Sequence, residues 1–208
     1  MKLRFPAVVV SVVLAGVIAA PMAAPAFAQR PHDWPSPPAD LPPGGRGDQN
    51  YNLDTLFSAL KIAPDEASAK AIEDRIWAQW VVSGSPTCSL LMRRERAATD
   101  DKDYDLGIKL LDAVIEIKPD YVEAWNRRAT LYYLKQDYGH SLADIRDVLA
   151  REPRHFGAWS GLGLILQEIG DDKHALEAYR KALAIDPHLE GIADVVKKLT
   201  EKVEGREI

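Results

Sequence analysis

A chain of 208 residues, 47% of them apolar and with a net charge of −5, is long and apolar enough to bury a core, which excludes a disordered polymer. Mild acidity without a basic tract excludes a nucleic-acid binder, because phosphate contacts need clustered Lys and Arg. A single cysteine, Cys88, excludes an internal disulfide and leaves no C-x-x-C pair for redox exchange.

Residues 1–28 read as a secretory signal peptide. Lys2 and Arg4 form the basic start, an apolar run follows from Phe5 to Ala20, and Ala26-Phe27-Ala28 supplies the small-residue cleavage site. Cleavage after Ala28 leaves Gln29 first and takes the net charge from −5 to −7. Retention as a membrane anchor is the alternative. Against it, Ser11 and Pro21 interrupt the run, which falls short of the roughly 20 residues that span a bilayer. The signal is similar to bacterial ones, so the expected location is the periplasm, with no transmembrane segment in the mature chain. Residues 29–51 are a proline-rich spacer (Pro31, Pro35, Pro37, Pro38, Pro42, Pro43, then Gly44-Gly45) with little to bury, expected to be disordered. Trp34 within it is either a docking residue or a stray aromatic, and the composition favours the stray.

Residues 52–86 read as a divergent helical hairpin broken at Pro64, with Leu56, Phe57, Leu60, Ile72, Ile76, Trp77 and Trp80 as its apolar faces. It is expected to extend the array that follows and to end at Gly84-Ser85-Pro86. Residues 87–190 repeat with a period of 34: Pro119, Pro153 and Pro187 fall in one column, Trp125 and Trp159 in another. Ile108, Leu142 and Leu176 form a third column, and Leu111, Ile145 and Tyr179 a fourth. Each proline lacks an amide proton and clashes with the preceding turn, so each separates two helices. Polar turns at Asp100–Asp103, Lys135–Asp137 and Gly170–Asp172 divide each unit in two. Residues 191–208 give a capping helix and tail, with Ile192, Val195, Val196, Leu199 and Val203 on one face.

At these positions the chain resembles the tetratricopeptide repeat family. The last unit carries Trp159, Leu162, Gly163, Leu166, Ala175, Tyr179, Ala182 and Pro187. The middle unit carries Trp125, Ala129, Tyr132, Ser141, Ile145, Val148 and Pro153. The first is weaker, with Leu91 in place of the tryptophan and Glu95 in place of a small residue, for which Gly107 opposite is expected to make room. The resemblance implies an all-α solenoid of three repeats, flanked by the divergent hairpin and the capping helix. A closer likeness covers Ile76-Trp77, Trp80, Ser83-Gly84-Ser85, Leu90-Leu91-Met92 and Trp125 to Tyr132. These stretches resemble exported repeat proteins of alphaproteobacteria, a group loosely associated with the cell envelope.

No catalytic constellation is apparent, and no enzyme activity, cofactor or metal is expected. His32, His140, His155, His174 and His188 show no metal-ligand spacing, and Gly157, Gly161 and Gly163 lack the Lys-Ser/Thr of a phosphate loop. By similarity to the family, the concave groove is lined by Met92, Arg96, Asn126, Thr130, Tyr133, Ser160, Leu164 and Gln167, with Arg93 and Arg127 at its edge. Apolar contact, amides and arginines suit a protein or peptide partner, including one with an acidic segment. Repeats that clamp chaperone C-termini use lysines and asparagines where this chain has Met92, Arg96, Arg127, Gly157 and Gly161, so a cytosolic chaperone adaptor is not expected. The expected function is a periplasmic scaffold or adaptor in cell-envelope maintenance. The alternative is a regulatory subunit of an envelope or cell-wall enzyme.

Overall fold

The computed structural model describes Trp34 and residues 52–205; the expected signal peptide, the rest of the spacer and residues 206–208 lie outside the described residues. Among the described residues are nine helices and no strand: α1 (Leu53–Lys61), α2 (Glu66–Trp80), α3 (Pro86–Asp100), α4 (Tyr104–Ile117), α5 (Val122–Leu134), α6 (Tyr138–Arg151), α7 (Phe156–Glu168), α8 (Asp172–Ile185) and α9 (Ile192–Val203). The 34-residue period is a period of backbone chemistry. Asp103, Asp137 and Asp171 cap α4, α6 and α8, each carboxylate accepting the amide three residues on. One residue before each cap, Lys102, Gln136 and Gly170 take positive φ (60°, 60° and 84°), and that turn folds each unit into a hairpin. The histidine column belongs to the caps too, because the rings of His140 and His174 bond to Asp137 and Asp171.

The proline and tryptophan columns are linked. Trp125 Nε1 donates to the carbonyl of Pro119 at 3.0 Å, and Trp159 Nε1 repeats the bond to Pro153 at 2.9 Å. Each indole therefore ties the turn that begins its own helix. The hairpins α3–α4, α5–α6 and α7–α8 stack in order, and α9 packs on α8. Small residues set the close approach: Ser141 Oγ donates to the Ala129 carbonyl at 2.7 Å, and a Cβ on Gly163 would lie 2.8 Å from the Tyr179 ring. In the first hairpin Gly107 makes room for Leu131, whose Cδ1 would be 2.6 Å from a Cβ there, and not for Glu95. Cys88 is fully buried in the same core.

The hairpin α1–α2 forms where the sequence places it but does not stack ahead of α3. It runs as a strap across the turns that follow the three repeats. At the first turn, Lys118 Nζ donates to the Ser83 carbonyl (2.7 Å) and Tyr121 Oη to the Val81 carbonyl (2.8 Å). At the second, Trp80 stacks on His155 (4.1 Å, 6° between planes) and Trp77 meets Phe156 edge-on. There too, Arg154 sits over Phe57 and pairs with Asp54 at 2.5 Å. At the third, His188 Nε2 lies 3.1 Å from the Ala63 carbonyl and Glu73 meets Asp186. Trp77 is 1% exposed, and α1 and α2 share one apolar core with α7, α8 and α9. The physical reason is the aromatic pair of α2, which finds an aromatic partner at the start of α7, whereas Arg93, Arg94 and Arg96 on α3 are exposed.

Candidate functional site

The face expected to bind is built by the first helices of the repeats, α3, α5 and α7, of which α5 and α7 touch directly. Its end nearest the proline turns holds a buried charged network. Arg127 Nε donates to Glu123 Oε1 at 3.0 Å and Nη1 to Glu95 Oε2 at 3.1 Å, while Asn126 Nδ2 donates to Glu123 Oε2 at 3.2 Å. Burial opposes the charge on Arg127, but the two carboxylates outweigh it and hold the guanidinium more firmly protonated than usual. His155 caps α7 by accepting the Ala158 amide at Nδ1, which leaves its proton on Nε2, 3.7 Å from Glu123. Arg127, expected at the groove edge, is thus paired with carboxylates of its own chain.

Under the strap, Glu73 is pushed up to about 7 by burial and by the neighbouring Asp186, with Lys70 at 3.0 Å offsetting only part of the rise. Burial also raises Asp186, so this carboxyl pair favours sharing a proton.

Trp34 occupies the other end of the face. It is 3% exposed and belongs to the apolar cluster of Ala129, Ile145, Val148, Ala158, Leu164 and Ile165. Its ring centroid lies 5.6 Å from that of Tyr133, tilted by 50°, and Tyr138 continues the aromatic wall 6.0 Å beyond. A Cβ on Gly161 would overlap the six-membered ring of the indole, so that glycine is what lets the ring lie flat on α7. Trp34 therefore packs on the repeats of its own chain and is not the stray aromatic that the composition favoured.

The residues expected to line the groove divide sharply. Arg96 is exposed; Thr130, Tyr133 and Gln167 are half-buried; Met92, Asn126, Ser160 and Leu164 are buried. Thr130 donates to the Asn126 carbonyl, and Gln167 accepts from Tyr179 Oη at 3.2 Å. Tyr133 and Leu164 meet through Trp34. Met92 joins a separate core with Cys88 and Tyr121. Residue-by-residue reading missed Glu123 and His155 as parts of this face, and it named Gly161 only as a position lacking a clamp residue. Gly161 carried the usable signal, because a helix-interior glycine outside the repeat pattern implies close approach of something flat.

Stacked hairpins with one face built from successive first helices define a repeat scaffold for protein–protein interaction. Among the described residues no cluster of three or more His, Cys, Asp or Glu could hold a metal, and no helix is long and apolar enough to cross a membrane. Residues 157–189 match the tetratricopeptide repeat family. A tetratricopeptide-repeat-containing protein of Rhizobium etli is 42% identical over 153 residues, covering 74% of this chain and 75% of its own length. The chain belongs to the tetratricopeptide repeat family. A heat-shock-cognate co-chaperone of Aspergillus fumigatus is 27% identical over 73% of this chain and 45% of its own length. Among solved structures, the first repeat domain of Spaghetti (RPAP3) bound to an HSP90 peptide aligns with a TM-score of 0.55 at 16% identity, over 58% of this chain and 95% of that one. The Sgt2 repeat domain of Aspergillus fumigatus gives 0.54 at 24% identity, over 58% and 81%. Both share the fold.

Proposed function

We propose that the protein is an exported scaffold that docks a partner peptide or helix on the α5–α7 face, in the periplasm, in maintenance of the cell envelope. The observation that carries the docking role is the seat of Trp34. A side chain from a proline-flanked segment, 19 residues before the first helix, is gripped there by Gly161, Tyr133 and Leu164. A face that holds one such ring has the shape and apolarity to hold another. The basic start, apolar run and Ala26-Phe27-Ala28 support export, and the resemblance to exported alphaproteobacterial repeat proteins supports the envelope role.

The test is photo-crosslinking in intact cells from Arg96, the exposed member of the face, replaced by a photoreactive residue, with the adducts identified by mass spectrometry after fractionation. One dominant adduct in the periplasmic fraction, lost in Tyr133→Ala, is expected. A smear of unrelated adducts, or the protein in the cytosolic fraction, would overturn this reading.

A further inference from the structure

We propose that the seat formed by Gly161, Tyr133 and Leu164 is a recognition subsite for an aromatic ring in a proline-flanked extended segment. Trp34 fills it in the unbound protein, and a partner peptide of the same chemistry displaces Trp34. The inference rests on the reading of the α5–α7 face as a docking surface and adds the anchor chemistry and the competition.

Four observations carry it. First, the seat is shaped for a flat ring: Gly161 lacks a side chain where the indole lies, and Tyr133 closes one side at 5.6 Å. Second, Trp34 is the single aromatic between Gln29 and Asn50, yet it is buried to 3% exposure among residues of two repeats. Third, its flanks are Pro31 and Pro35, with Pro37 and Pro38 beyond. Prolines fix φ and remove donors, so such a segment binds as a pre-extended strip that loses little entropy, the usual ligand of aromatic-lined grooves. Fourth, the chain between Trp34 and Asn52 can reach roughly 60 Å when extended, so the contact is not forced by the tether. A tether of this length gives Trp34 an effective concentration on the order of millimolar, which a free ligand must outcompete.

Occupation in cis sets the logic. A ligand without an aromatic anchor leaves Trp34 in place, whereas one that carries it must first win the seat. Apparent affinity is reduced by the fraction of time that Trp34 is bound, which screens out weak partners.

The test uses a fluorescent synthetic peptide spanning residues 31–43 of this chain, titrated against the purified wild type and Trp34→Ala. The expected result is at least tenfold tighter binding to Trp34→Ala. Binding should vanish when the peptide's own tryptophan is alanine and when Gly161→Leu is added to fill the seat. Equal binding by wild type and Trp34→Ala, or no binding to folded Trp34→Ala, overturns the proposal. Should Trp34→Ala fail to fold, Gly161→Ala serves instead, with all tryptophans fluorine-labelled. A Trp34 resonance shifted to its solvent-exposed position in a fully helical protein supports a displaceable anchor. Loss of helix along with it shows a core residue and overturns the idea. The two readings fail separately. A cellular adduct from Arg96 whose partner lacks an aromatic anchor leaves the scaffold standing and removes the subsite. A peptide that competes with Trp34, with only unrelated adducts in cells, does the reverse.

Discussion

Gly161 and Gly163 sit two residues apart in the middle of α7, and the same substitution at each should have different outcomes. Replacing either by alanine gains about 1 kcal/mol of helix propensity. What the new methyl meets then decides the sign. At Gly161 it meets the six-membered part of the Trp34 ring, a residue that precedes Asn52 by a long stretch of chain. Evicting the indole forfeits about 200 Å² of burial, roughly 5 kcal/mol. It also releases the ordering of that residue's backbone and side chain, roughly 3 kcal/mol. With the propensity gain, Gly161→Ala should change stability by no more than about 1 kcal/mol, a melting shift within about 4 °C. At Gly163 the methyl meets the Tyr179 ring at 2.8 Å, and that ring is 3% exposed between α7 and α8. It has nowhere to go. Overpacking should outweigh propensity and leave a loss of about 2 kcal/mol. Thermal melts followed by circular dichroism compare the pair directly. If Gly161→Ala is the more damaging of the two, Trp34 is part of the core and not a docked ligand.

Three further expectations follow from the strap, the turns and the buried network. Glu73 titrates near 7 in the folded protein against 4.5 ordinarily, so the native state holds the extra proton between those values. The stability this contributes is complete below about pH 4.5 and is lost as pH rises through 7, a fall of at most about 3 kcal/mol. Urea titrations at pH 5 and 8 should show that fall, and Glu73→Gln should flatten it; carboxylates held low, such as Asp137 and Asp171, titrate below this window. Gln136 adopts φ 60° where the next repeat has Gly170, so Gln136→Gly should stabilise by about 1 kcal/mol, and an unchanged or lower urea midpoint would contradict the turn geometry. Arg127→Ala leaves Glu95 and Glu123 buried without their guanidinium and should cost about 3–5 kcal/mol; a loss below 1 kcal/mol in denaturant would show that the carboxylates find other partners.

The repeats were legible because their chemistry is local. Proline stops, aspartate caps and the indole bond from Trp159 to Pro153 all act within a few residues, so they recur at 34 and can be read in one dimension. The hairpin was legible as helices but not in its destination. The apolar faces of α1 and α2 state that they need cover. The match of Trp77 and Trp80 to His155 and Phe156 appears only after the second turn has brought those rings together. Groove residues inherited from family geometry suffered for the same reason. Asn126 and Ser160 lie on the expected helices yet are buried in this chain. Trp34 was misjudged because a segment too polar to fold alone can still dock one ring on a surface built elsewhere.

The strap also changes what kind of object the solenoid is. An open repeat array is held by neighbours alone and can fray from either end, like a stack of coins. Here the first helices grip residues 100 positions away, where Asp54 meets Arg154, and 125 away, where Ala63 meets His188. Those long-range contacts tie the hairpin to the last repeat as well as to its neighbours in sequence. The α1–α2 hairpin precedes the repeats in the chain, and most of its apolar cover comes from the last of them. Until the third repeat has emerged, Phe57, Trp77 and Trp80 have only one another to pack against and lack the cover of Phe156.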